Sequence, residues 1–233
     1  MNNYFCTNSG RDCGCQPVCQ PTCQELPVQP IPVPTCCPCS EDFRRALELL
    51  CNPRLRPLVD FSTFAFVTEN YVLGTALTTP TAGTAPGDNL EDPVGTYICG
   101  GDNCESLTVS GELYPAQTGA APLGITVTQA ALCRLDAIAF EADAGVEETA
   151  AENFQTLSQT LGQLLRPERP QTCSSLADAL TSAAAVRAST VTAGPLIVNN
   201  STILGQIGSV LVMANSTDSR IYFICADRIG FLG

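Results

Sequence analysis

The sequence predicts an α+β protein. A domain over residues 40–233 is built on an antiparallel sheet or sandwich with a helical layer inserted in its middle, and an extended cysteine- and proline-rich arm over residues 1–39 precedes it. Three observations predict this. Runs rich in β-branched and aromatic residues occupy both ends of the domain, and the stretches between them carry apolar residues at three- and four-residue steps. The hydrophobic content, 45% of 233 residues, is enough for a core that needs no staples merely to fold. The composition also breaks at Ser40: residues 1–39 hold eight of the 14 cysteines but only three charged residues, Arg11, Asp12 and Glu25.

The arm cysteines are Cys6, Cys13, Cys15, Cys19, Cys23, Cys36, Cys37 and Cys39. With few large apolar residues, this segment cannot bury enough surface to offset its ordering entropy, so it reads as an arm and not a domain. Its middle, ELPVQPIPVPT, has prolines at 27, 30, 32 and 34. That spacing favours polyproline II, a stiff spacer that reaches roughly 34 Å over these residues at ~3.1 Å each.

The domain opens with SEDFRRALELLCNP, a helix near 41–51. Ser40 is its expected N-cap, acids fill its first turn, Phe43, Ala46, Leu47 and Leu50 share one face, and Pro53 stops it. LVDFSTFAFVTENYVLGTAL reads as one or two strands. Residues 78–93, TTPTAGTAPGDNLEDP, read as a flexible loop. TYICGGDNCESLTVSGELYP reads as a hairpin with Leu107, Val109 and Leu113 on one face, and GITVT and LCRLDAIAFEA read as further strands, with a helix as the alternative for the second. A helix over 147–165 places Ala150, Phe154, Leu157, Leu161 and Leu164 on one side, and a second near 174–187 repeats the pattern. Strands return with STVTAGPLIV, TILGQIGSVLVMAN and RIYFICADRIGFLG, the last two joined by a turn at NSTDS.

Composition excludes several functions. The chain has no His and no Lys, which removes a Ser-His-Asp triad, a Cys-His pair, a phosphate-loop lysine and a Schiff base. A net charge of −12 without any basic run argues against nucleic acid as a partner. No stretch approaches the ~20 apolar residues of a membrane-spanning helix. Glu147, Glu148 and Glu152 read as a solvated helix face, and nothing selects a catalytic carboxylate pair, so an enzyme is not expected. The N-terminus has neither a positive nor an apolar region of a secretory signal, so the Asn-x-Ser/Thr sequences at Asn199, Asn200 and Asn215 read as chance.

The thiols leave alternatives open. Four thiolates alone can hold zinc, but only Cys36 and Cys39 have the Cys-x-x-Cys spacing, and the proline spacer opposes a compact site; no metal site or other cofactor is assigned. The same spacing without a βαβ context is a weak redox motif. In the domain, Cys133 and Cys225 lie in apolar strands and read as small buried hydrophobes. Cys51, Cys99, Cys104 and Cys173 sit at helix boundaries or beside a polar turn. They are candidate partners for a neighbour's arm, with an intrachain network, including closure of Cys99 on Cys104 across Gly-Gly-Asp-Asn, as the competing reading.

Two stretches, TCCPCSEDFRRALELLCNP and the β-rich end RIYFICADRIGFLG, in a lysine-free chain without a signal sequence, resemble the cysteine-rich endospore surface proteins of Firmicutes. These are the coat and exosporium proteins and the subunits of spore appendages. The resemblance implies a structural subunit made in the mother-cell cytoplasm, assembled on the forespore and oxidised after lysis. It also implies a jelly-roll-like body and an N-terminal connector, here Cys36, Cys37 and the thiols upstream, bonded to neighbouring subunits. The expected partners are further copies, joined by strand packing and intermolecular disulfides into a filament or layer, and other spore-surface proteins. The expected final location is extracellular, on the spore surface or an appendage. The alternative is a cytoplasmic cysteine-rich zinc-binding or redox protein.

Overall fold

Central strands that are apolar at every position need cover on both faces, and β11, RIYFIC, is such a strand. The computed structural model describes residues 39–79, 87–103, 105–145, 150–165 and 187–232, all within one unit, Pro38–Gly233. The described elements are helices α1 (Ser40–Leu50) and α2 (Ala150–Leu164) and twelve strands: β1 (Val59–Thr68), β2 (Tyr71–Leu73), β3 (Gly87–Asp88), β4 (Thr96–Tyr97), β5 (Ser106–Pro115), β6 (Thr126–Ala131), β7 (Leu135–Ala142), β8 (Arg187–Ala193), β9 (Leu196–Ile207), β10 (Val210–Asn215), β11 (Arg220–Cys225) and β12 (Ile229–Leu232). Every pairing between these strands is antiparallel, in the order β12-β8-β9-β10-β11-β7-β1-β2-β5-β4, with β3 added to β9 and β6 to β5. The chain therefore forms the antiparallel β-structure with helices that the sequence predicts.

Alternation along the central strands sorts side chains into two cores. Phe64, Phe66, Ile138, Phe140, Val212 and Phe223 point to the first, where they meet Phe43, Leu47 and Leu50 of α1 and Phe154, Leu157 and Leu161 of α2. Aromatic rings bind this face together: Phe140 lies 5.0 Å from Phe64 and 5.2 Å from Phe223. Ala65, Val67, Ala139, Met213, Tyr222 and Ile224 point to the second core, where Val191, Ala193, Leu196 and Val198 pack with Leu77 and Leu90. β9 serves both layers. Its end, Thr202–Ile207, pairs with β10, while its start pairs with β8 on one side and β3 on the other. Asn200, at φ 49°, takes the left-handed conformation between the two halves.

Several local expectations are corrected. Helix α1 starts at Ser40, but the N-cap is Cys39, left-handed at φ 68°, and no side chain caps the helix. The buried face is the predicted one, Phe43, Ala46, Leu47 and Leu50. At the end of α2, Leu164 is exposed where it was expected to be buried, and Leu165, just beyond the helix and four residues after Leu161, is buried in its place. Residues 87–90, expected as loop, contribute β3 and the buried Asn89 and Leu90, whose cover comes from β9 far along the chain. Arg187, expected to end a helix, begins β8, and the rest of that helix lies outside the described residues. Asn215 is fully buried and its side-chain N–H donates to Asn199 O at 2.8 Å, so it is a core residue.

Candidate cross-linking site

An eleven-residue helix is marginal alone, and α1 is tied down at both ends. At its start, Cys39 is bonded to Cys225, the last residue of β11, across a sequence separation of 186. Hydrogen bonds reinforce this corner. Ser209 N–H, in the β9–β10 turn, donates to the Asp42 carboxylate at 2.7 Å, and Ala226 N–H donates to Ser209 O at 2.9 Å. Gly208 in the same turn has φ 55°, and a Cβ there would run into Asp42, so this contact requires glycine on two counts. The chain thus enters the domain at a point fixed covalently to the central sheet.

At the other end of α1, Cys51 is bonded to Cys99, two residues beyond β4, across a separation of 48. In the chain-entropy picture the two bridges stabilise by roughly 5 and 4 kcal/mol, as upper values. Cys133 is disulfide-bonded as well. Every described cysteine, Cys39, Cys51, Cys99, Cys133 and Cys225, is therefore held in a disulfide.

This redraws the expected chemistry. Cys51 and Cys99, expected to receive a neighbour's arm, are bonded to each other, because α1 and the β4–β5 hairpin pack side by side on one face of the sheet. Cys39, expected among the arm cross-linkers, is part of the domain. Cys225 and Cys133 are half-buried to fully buried as expected of small hydrophobes, but they are bonded rather than free. Cys6, Cys13, Cys15, Cys19, Cys23, Cys36, Cys37, Cys104 and Cys173 lie outside the described residues.

Two polar constellations escaped the sequence reading. Arg220, 5% exposed, donates to the carboxylates of Asp88 at 2.9 Å, Glu141 at 2.9 Å and Asp92 at 3.3 Å, and to Leu90 O at 3.3 Å. Tyr222 OH donates to Asp88 at 2.7 Å, and Asp88 N–H donates to Asp218 at 3.0 Å. This network clamps residues 88–92 onto β11. Burial raises the carboxyl pKa of Glu141 above its ordinary range despite Arg220, and burial with nearby Asp88 does the same to Asp218. The second constellation lines a cavity of about 380 Å³ between the β1–β2 turn and β6. Its walls mix apolar side chains (Phe66, Leu73, Leu113, Val127) with the charged Glu69, Arg134, Asp136 and Arg228, and Arg228 Nε lies 3.3 Å from Asp136. Among the described residues no group of three or more cysteine, aspartate or glutamate side chains is placed to hold a metal ion, and no helix is long and apolar enough to cross a membrane.

Comparison with known proteins now bears on this geometry. A family profile described as spore coat protein CotA-like matches residues 36–233. The spore coat protein CotA of Clostridioides difficile (strain 630) is 26% identical over 265 residues, covering 84% of this chain and 83% of that protein. No solved structure matches the chain.

Proposed function

The chain belongs to the spore coat protein CotA-like family, and from that premise we propose that it is a structural subunit of a bacterial spore surface, self-assembling into a filament or layer sealed by intermolecular disulfides. The observation that carries the reading is the state of the thiols. Every described domain cysteine is already in a disulfide, Cys39 with Cys225 and Cys51 with Cys99 inside the domain, while seven cysteines, from Cys6 to Cys37, stand upstream of the clamp at Cys39. The thiols for neighbours are then drawn from these seven with Cys104 and Cys173, less the one bonded to Cys133, and do not include Cys51 or Cys99.

The clamp suits such a role. Tension on a cross-linked N-terminal segment passes through Cys39 into β11, a central strand, so α1 is not peeled away first. Packing between copies selects the geometry and oxidation then makes it hard to reverse, since dissociation requires breaking covalent bonds. Other coat components are further partners on the same thiol chemistry.

Native oxidised material should run as a ladder, or fail to enter a gel, without reductant and collapse to monomer with it. Replacing Cys6, Cys13, Cys15, Cys19, Cys23, Cys36 and Cys37 with Ser should abolish the ladder while leaving the unfolding midpoint of the domain unchanged. Oxidised native material that runs as monomer without reductant would refute the reading. Stoichiometric zinc in protein purified under reducing conditions would replace it with the metal-binding alternative.

A further inference from the structure

Natural sheets guard their edges with charge, proline, bulges or cover; β6 has no charge, no proline and no cover among the described residues, and the one irregularity in its pairing falls on β5, between Thr108 and Gly111. Among the described residues it pairs only with β5. Its sequence, TVTQAA, is rich in β-formers, and no charged residue occurs between Glu112 and Arg134. All six of its residues are exposed or half-exposed, and Leu123 and Ile125 just before it are 45% and 52% exposed. In a chain of net charge −12, two copies repel one another over most of their surface. An uncharged edge is where a second copy approaches without setting carboxylate against carboxylate.

We propose that β6 is a self-pairing edge, at which the β6 strands of two copies join antiparallel about a two-fold axis through Thr128. The inference rests on the self-assembly reading above and names a surface that serves it. Facing residues of such a pair must lie on the same side of the joined sheet, so the axis passes through a residue and not between two. With Thr128 on the axis, Thr128 faces its own counterpart, Val127 faces Gln129, and Ile125 faces Ala131. Val127, Gln129 and Ala131 line the cavity of about 380 Å³. Ile125 of each copy therefore lands beside the cavity of the other, where an exposed apolar side chain meets the apolar part of a wall that Val127, Leu113 and Leu73 share with charged residues. The same register sets two threonines opposite each other, a favourable cross-strand pair. The contact is isologous and closes as a pair, so the disulfides of the N-terminal segment are what extend it into a polymer.

The test uses the full chain with free thiols alkylated without prior reduction, which keeps the internal bridges and blocks cross-links. Sedimentation should show a monomer–dimer equilibrium for the unaltered chain. Thr128→Lys and Thr128→Glu each set like charges opposite one another and should weaken it by at least roughly tenfold, since like-charge juxtaposition at an interface costs several kcal/mol. An equimolar mixture of the two variants should restore dimers, which mere misfolding of either would not allow. Dimerisation of both variants at the unaltered strength overturns the proposal. So does an alkylated chain that stays monomeric while unblocked chain still cross-links, an outcome that leaves the self-assembly reading standing. Failure of unblocked chain to cross-link removes that reading as well.

Discussion

Arg220 is a cation almost wholly withdrawn from water, and its stability depends on keeping all its partners. Asp88, its most buried partner, has a side chain only 1% exposed, whereas Asp92 is fully exposed. Arg220→Leu leaves Asp88 buried and unpaired and should cost about 3–5 kcal/mol in urea unfolding with disulfides intact, the usual penalty for breaking a buried pair from one side. Asp92→Asn should leave the midpoint unchanged, because water screens an exposed ion pair. An equal effect of both substitutions would show that the network is not the clamp described. Sequence did not reveal Arg220: an arginine next to the NSTDS turn reads as solvated, and its partners Asp88 and Glu141 are 132 and 79 residues away. Cys225 failed the same way. Its burial was legible from its apolar strand, but its bond to Cys39 spans 186 residues, and no local pattern encodes that distance.

Helix α1 shows how far periodicity reaches. Its buried face was legible in the sequence because 3.6-residue spacing is a local property; that both its ends are covalently tied to different parts of the sheet was not. Breaking the tie at its C-terminal end tests the strut. Cys51→Ser and Cys99→Ser should each lower stability by about 2–4 kcal/mol. The double variant should lose no more than either single one, because both remove the same bond. Additive losses, read from thermal unfolding of the thiol-blocked chain, would mean that each thiol contributes by packing rather than through the bridge. The strands were legible for a related reason. β-branched and aromatic runs mark β1, β5, β7, β10 and β11, and the hairpin from Thr96 to Pro115 forms with Tyr97 opposite Val109. The second layer was not: the sequence reading divides β9 between STVTAGPLIV and TILGQIGSVLVMAN, and only the pairings of its first half with β3 and β8 show that it is one strand leaving the central sheet. β3, two residues long, has no periodicity to detect.

Over the whole molecule the balance of acids decides how stability depends on pH. Burial is the leading cause that raises the carboxyl pKa values of Asp102, Asp136, Glu141 and Asp218 above ordinary values of 3.8 for Asp and 4.5 for Glu. A raised pKa means that the folded chain holds the proton more tightly than the unfolded chain does. The stability linked to these groups is fully present below their unfolded pKa values and is lost as pH rises through the folded ones. Glu41 opposes this, since its hydrogen bond from Arg44 lowers its pKa, but it is one half-buried, partly screened group against the four raised acids. Tyr97 and Tyr222 act in the same direction as the buried acids at the other end of the scale: burial raises both, so the stability they contribute fades only in strong alkali. Mild acid also reduces the net charge of −12 and with it the self-repulsion of the chain and of neighbouring copies. The thiol-blocked chain should therefore unfold at a higher temperature at about pH 5 than at neutrality, opposite to a protein held by depressed carboxylates, and its self-association should strengthen over the same interval. A midpoint that falls between neutrality and about pH 5 would show that the exposed ion pairs, and not the buried acids, dominate the molecule.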